Sequence, residues 1–141
     1  MKKDGDLRRI FRERFPEAQW TSIESPITGA GIPDAEYCFP NGRSGWIEFK
    51  KTDTRRIGHL KSTQIAWLER RKRLGGRVFV AVRRMTDDVD ELWMIDGQAA
   101  RGVVEDGLAT RIGIKSWSGG PSRWNWEEVR ELLTSEIVER Q

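Results

Sequence analysis

The apolar positions of this chain change period several times, and each change marks an element. In residues 6–15, DLRRIFRERF, the residues Leu7, Ile10, Phe11 and Phe15 recur at helical spacing while Arg8, Arg9 and Arg12 lie off that stripe, which predicts a short helix. Asp6 stands where an N-cap belongs, and Pro16 ends the run because the residue before a proline avoids the α region. Residues 19–24, QWTSIE, are aromatic and β-branched and read as a strand. Pro26, Gly29 and Gly31 then mark a loop, SPITGAGIP, whose glycines would let backbone approach a phosphate closely.

Residues 31–50, GIPDAEYCFPNGRSGWIEFK, read as two short strands joined by a turn. With period two, Ile47 and Phe49 share one face, and Glu48 and Lys50 share the other. The apolar pair enters a core while the acid and the base project together. Asn41-Gly42 invites a two-residue type I′ turn, which would set Asp34 opposite Phe49 and turn the carboxylates of Asp34 and Glu48 to opposite faces. Bringing those two carboxylates together requires an odd-length loop or a bulge between Phe39 and Gly45.

Downstream, residues 51–62 are polar, basic and aperiodic, a loop placed to run along a nucleic-acid backbone, with His59 as a loop histidine. Residues 62–74, STQIAWLERRKRL, predict a helix capped by Ser62 or Thr63 and ended by Gly75-Gly76. Ile65, Leu68 and Trp67 form its packed face, and Gln64 borders that face. Residues 77–82, RVFVAV, are almost continuously apolar, as in a strand covered on both sides. Strand, helix and strand in this order suggest a parallel pair with a right-handed crossover. Beyond lie an acidic turn at 87–91, a strand at 92–95, a short helix within 97–110, and a strand at 111–117. The last element is a helix opened by Asn125 and Glu128 with the stripe Trp126, Val129, Leu133 and Ile137. Trp117, Trp124 and Trp126 are read as core residues in preference to base-stacking ones.

Composition narrows the class. At 141 residues with 37% hydrophobic residues the chain suffices for one domain with its own core. Mean hydropathy is -0.66, no apolar run approaches a bilayer span, and MKKDGDLRR lacks the apolar region of a signal peptide, so a cytoplasmic protein is expected. One cysteine, Cys38, excludes an internal disulfide, and one histidine excludes a histidine-rich metal site. The net charge of +3 is unevenly spread: residues 50–84 hold 12 Lys/Arg against 2 Asp/Glu, whereas residues 85–141 hold 6 against 12. Such a block is either a solvated face or the footprint of a polyanion binder, and the scarcity of interspersed acids favours the latter. Lys51, Arg55, Arg56, Lys61, Arg70 and Arg71 are the expected nucleic-acid contacts.

Asp34, Glu48 and Lys50 suit one chemistry. Mg²⁺ takes oxygen ligands, and one or two carboxylates plus substrate phosphate suffice to hold it. Such an ion activates water and offsets charge on a phosphate, and an adjacent lysine orients the water or stabilises that charge. A plain hairpin with a solvated Glu–Lys pair satisfies the same alternation. Glu13 and Glu24 are candidates for a further acid, Glu24 as a metal ligand.

In order, Gly31-Ile32-Pro33-Asp34, then Ile47-Glu48-Phe49-Lys50, then Gln64 early in a helix, then Gly75-Gly76 and an apolar strand resemble the PD-(D/E)xK nuclease superfamily. Within it the chain is most similar to the VRR-NUC group and to small phage or prophage nucleases like Holliday junction resolvases; the similarity spans about residues 7–84. The resemblance implies an α/β, restriction-endonuclease-like fold, a central mixed β-sheet flanked by helices. It implies Mg²⁺ or Mn²⁺ held by Asp34, Glu48 and the backbone carbonyl of Phe49, Lys50 as the catalytic lysine, and Gln64 lining the site. The activity expected is Mg²⁺-dependent endonuclease hydrolysis of phosphodiester bonds, in DNA before RNA and selective for DNA structure. A phage-encoded protein would act in the host cytoplasm, and junction cutting would call for a homodimer. The alternative is a non-catalytic nucleic-acid-binding or regulatory protein that keeps the fold.

Overall fold

The computed structural model describes residues 2–24, 31–58 and 60–136. Six strands form one sheet in sequence order: β1 (Gln19–Ser22), β2 (Ala35–Phe39), β3 (Arg43–Thr52), β4 (Val78–Met85), β5 (Asp90–Asp96) and β6 (Ile114–Trp117). β3 and β4 pair in parallel through the helix α2 (Ser62–Arg73), and the other four pairings are antiparallel. The architecture is therefore α/β, a mixed sheet with helices on both faces, as the periodicities imply.

Strand alternation sorts the core into two layers. On one face, Leu7 and Phe11 of α1 (Leu7–Arg14) and Val129 and Leu133 of α4 (Trp126–Thr134) pack on Tyr37, Ile47, Phe49 and Ala81. On the other, Ile65 and Leu68 of α2 and Val103 of α3 (Ala100–Asp106) pack on Val80, Val82 and Ile95. β4 is buried on both sides from Val78 to Arg83, which accounts for its unbroken apolar run. Phe11 sits edge-on to Phe15, Trp20, Phe49 and Trp126, with ring centroids 5.3 to 6.3 Å apart. Truncating such a residue costs about 3–5 kcal/mol, so α1 is firmly seated over Phe49.

The β2–β3 connection decides whether Asp34 and Glu48 share a face. Pro40–Gly42 forms a single 3-10 turn with Asn41 at φ 69 and Gly42 at φ 71, left-handed conformations that these two residue types tolerate. The loop has three residues rather than the two of a type I′ turn. The register pairs Phe39 with Arg43 and Ala35 with Ile47. One step further along this register sets Asp34 opposite Glu48, on one face.

Several local expectations are corrected. Asp6 adopts φ 62 and its side chain does not cap α1; instead the Asp6 N–H donates to Asp4 Oδ1 at 3.0 Å. The N-cap of α2 is Lys61, not Ser62 or Thr63. The loop expected at 51–62 starts later, because β3 runs on to Thr52; its described residues are mostly exposed, but Ile57 and Leu60 are buried beside α2, and Arg55 and Arg56 donate to the carbonyls of Leu108 and Glu105 at 3.1 and 2.7 Å. The strand expected at 111–117 begins at Ile114. The C-terminal tryptophans are structural, as read: Trp124 is buried and donates to Asp90 O, while Trp126 packs on Phe11 and Phe15 and donates to Pro121 O. Asn125 caps α4 through Glu128 N at 3.1 Å. Ile137, His59 and the loop glycine Gly29 lie outside the described residues. Among the described residues no helix is long and apolar enough to cross a membrane.

Candidate active site

Three elements converge where β2 begins. β3 carries Glu48 and Lys50 on the α2 side of the sheet, the residue before β2 is Asp34, and the first turn of α2 carries Gln64. Gly31 makes the convergence possible. Its φ is 80, and a Cβ there would collide with the Thr63 carbonyl, so only glycine lets the chain entering β2 lie against the start of α2.

Asp34 and Glu48 are tied reciprocally. The Asp34 N–H donates to Glu48 Oε1 at 3.1 Å, and the Phe49 N–H donates to Asp34 Oδ2 at 2.9 Å. The remaining Glu48 oxygen, Oε2, accepts from Gln64 Nε2 at 2.9 Å and lies 3.3 Å from Lys50 Nζ. Gln64 uses both ends of its amide, since Oε1 accepts from the Lys61 N–H at 2.9 Å and so caps α2. Glu48 is only 4% exposed. Burial, reinforced by the neighbouring Asp34 charge, pushes its carboxyl up to about 7, against the opposing pull of Lys50.

Asp34 is the more open acid, and its Oδ1 lies 3.7 Å from Arg8 NH2. Beyond Ala35–Ile47 the edge of β3 has no β2 partner. A strand residue directs its N–H and C=O to the same edge. Because the Phe49 N–H meets Asp34 there, its carbonyl faces the same side. Two carboxylates and this carbonyl make an all-oxygen donor set of the kind Mg²⁺ accepts. Among the described residues no group of three His, Cys, Asp or Glu side chains gathers as a metal site, so the set rests on two side chains.

These groups line a cleft of about 1040 Å³. Glu24 does not join it; it is exposed beyond the end of β1. Glu13 is also exposed and pairs with Arg9 at 3.3 Å. The other acids on the cleft wall are Asp4 and Asp6. Nothing in their spacing marked them, because they precede α1 in an aperiodic stretch. Of the expected nucleic-acid contacts, Lys51 and Lys61 line the cleft, and Arg55, Arg56, Arg70 and Arg71 do not. Arg71 instead covers the rings of Trp67 and Trp46, 4.6 and 5.4 Å from their centroids. Within the basic block, the buried Arg83 pairs with the half-buried Asp90 at 2.7 Å and Lys72 pairs with Asp96 at 3.0 Å. Much of the block is thus structural. The cleft takes the balance of its positive charge from the other end of the chain: Lys2, Lys3, Arg8, Arg9 and Arg12 all face it. For Arg8, Arg9 and Arg12 the available signal was their position off the apolar stripe of α1; Lys2 and Lys3 precede the helix and carried none.

Compared with models of known protein families and with curated proteins, the sequence matches none.

Proposed function

We propose that the protein is a metal-dependent nuclease hydrolysing phosphodiester bonds, a structure-selective DNA endonuclease of PD-(D/E)xK type with a restriction-endonuclease-like fold. The observation that carries the proposal is the meeting of Asp34, Glu48, Lys50 and Gln64, residues from three separate elements, on the wall of a cleft lined by cations.

Asp34 and Glu48, with the Phe49 carbonyl, would hold Mg²⁺ or Mn²⁺. Such an ion supplies a Lewis acid and an activated water at neutral pH. Gln64 fixes the Glu48 carboxylate through Oε2 and leaves Asp34 Oδ1 as the more open oxygen. Lys50, held beside Glu48 by strand alternation, places a positive charge where the phosphate gains negative charge in the transition state. Lys51, Lys61 and the cations of α1 hold the flanking backbone.

The test is incubation of purified protein with a panel of duplex, single-stranded, flap and four-way-junction DNA and with RNA, in Mg²⁺, Mn²⁺ or EDTA. Cleavage that needs the divalent ion is the expected result. Tight binding without cleavage under every condition replaces this reading with that of a non-catalytic nucleic-acid-binding protein.

A further inference from the structure

Arg8 is placed unusually for a helix arginine. Its neighbour Arg9 pairs with Glu13 and approaches Asp6 to 3.9 Å, as a solvated side chain does. Arg8 instead leans into the cleft, and its Nε is buried with no hydrogen-bond partner. Its NH2 lies 3.7 Å from Asp34 Oδ1, inside ion-pair range and outside hydrogen-bond range. The other Asp34 oxygen is engaged by the Phe49 N–H, and both Glu48 oxygens are engaged. Arg8 therefore stands against the one oxygen of the Asp34–Glu48 pair that accepts no hydrogen bond among the described residues.

We propose that Arg8 is a displaceable counter-ion of this site: it neutralises Asp34 Oδ1 while the site lacks a divalent ion, yields that oxygen when the ion binds, and then turns its guanidinium to the substrate phosphate. This inference rests on the nuclease reading. Two facing carboxylates repel, and Arg8 brings a positive charge to the Asp34 side of the pair as Lys50 does to Glu48. A guanidinium is suited to the exchange because it is permanently charged and its planar fork binds carboxylate and phosphate oxygens alike. The long Asp34 contact and the unpartnered Nε describe a fork that the resting site does not fully use. α1 is anchored by Phe11, so the exchange needs only side-chain rotation.

The role predicts effects of opposite sign in one variant. Arg8→Gln removes a cation that competes with the metal, so calorimetric titration with Mn²⁺ alone should show binding about three- to tenfold tighter than wild type. The same variant at saturating Mn²⁺ should cleave at least tenfold more slowly, and Arg8→Lys should recover part of the rate. Thermal melting of both variants checks the fold. Mn²⁺ affinity unchanged or weakened in a folded Arg8→Gln protein overturns the proposal, as does normal cleavage by that variant. Wild type that binds Mn²⁺ and cuts while Arg8→Gln behaves identically rejects this inference alone. Wild type that neither binds Mn²⁺ nor cuts rejects the nuclease reading, and this inference with it.

Discussion

Gln64 donates to Glu48 across 2.9 Å while its carbonyl oxygen caps its own helix at Lys61 N. One side chain thus joins the start of α2 to the buried acid of β3. Gln64→Ala breaks both links. Loss of the cap costs about 1 kcal/mol, and the buried Glu48 Oε2, which keeps Lys50 but loses its amide donor, adds about 1 kcal/mol more. The thermal midpoint should fall by several degrees, and cleavage per folded molecule should fall at least tenfold. Gln64→Glu keeps the cap but sets a second carboxylate against Glu48, and should be worse than alanine above neutral pH. Melting curves and rates measured together decide it; a normal rate per folded molecule would show that Gln64 acts only as a cap.

Stability of the metal-free protein should depend on Glu48 protonation. Its folded carboxyl titrates near 7, against an ordinary value of 4.5. The folded state therefore holds this proton more tightly than the unfolded chain. The contribution is fully present below about pH 4.5, declines as pH rises, and is gone above about 7, a change on the order of 3 kcal/mol. In EDTA, wild type should lose stability relative to Glu48→Gln between pH 5 and pH 8, because glutamine does not titrate. Urea unfolding at both pH values measures this. A wild-type minus variant difference that stays constant with pH contradicts the assignment.

The distribution of cations sets a salt prediction. If Lys61 and Arg12 contact phosphates, replacing each with alanine should flatten the dependence of log affinity on log salt by about 0.9 on duplex DNA. Arg70→Ala, exposed on α2 away from the cleft, should leave the slope unchanged. Arg71→Ala should chiefly lower stability, by about 1 kcal/mol, since it loses two cation–π contacts. Binding isotherms at four salt concentrations discriminate these outcomes. A slope that responds to Arg70 and not to Lys61 or Arg12 places the nucleic acid on the other side of α2.

These residues show what was legible in the sequence. Period-two alternation put Ile47 and Phe49 in the core with Glu48 opposite, and the demand that Asp34 join Glu48 required an odd loop, which Pro40–Gly42 supplies. Gln64 was legible as a residue at the edge of a packed stripe. Charge density misled, because it counts side chains without their partners. Arg83 and Arg55 belong to a basic run in sequence, yet one is buried against Asp90 and the other donates to the Leu108 carbonyl. These partners lie 7 and 53 positions away, and no local pattern announces them. Arg8 and Arg12 were visible as off-stripe residues of α1, but that α1 lies across the sheet beside Asp34 is a tertiary fact.

The fullest test separates Asp34, Glu48 and Lys50 by what each removal leaves behind. Two nearby carboxylates repel, so removing one should relieve strain in the metal-free protein. The hydrogen bonds temper this, because Asp34 Oδ2 accepts the Phe49 N–H and Glu48 Oε1 accepts the Asp34 N–H. Asp34→Asn keeps an acceptor for Phe49 and removes the charge, so its melting temperature should equal or exceed that of wild type in EDTA. Asp34→Ala loses the acceptor and should melt somewhat lower. Both should lose Mn²⁺ binding and cleavage. Glu48→Ala should lose the same two functions, and it also removes the acceptor of Gln64 Nε2. Lys50→Ala leaves both carboxylates, so Mn²⁺ should bind as tightly as in wild type or more tightly while turnover fails. Without metal it should melt lower than wild type above pH 7, because Glu48 has lost the cation that favours its charged form, and added Mn²⁺ should remove the difference. DNA binding should persist in all these variants, because Lys51, Lys61 and α1 remain. The measurements are melting temperature with and without Mn²⁺, Mn²⁺ titration, and cleavage of one substrate. If Lys50→Ala loses Mn²⁺ binding, or Asp34→Asn retains cleavage, the division of labour proposed for the three residues is wrong.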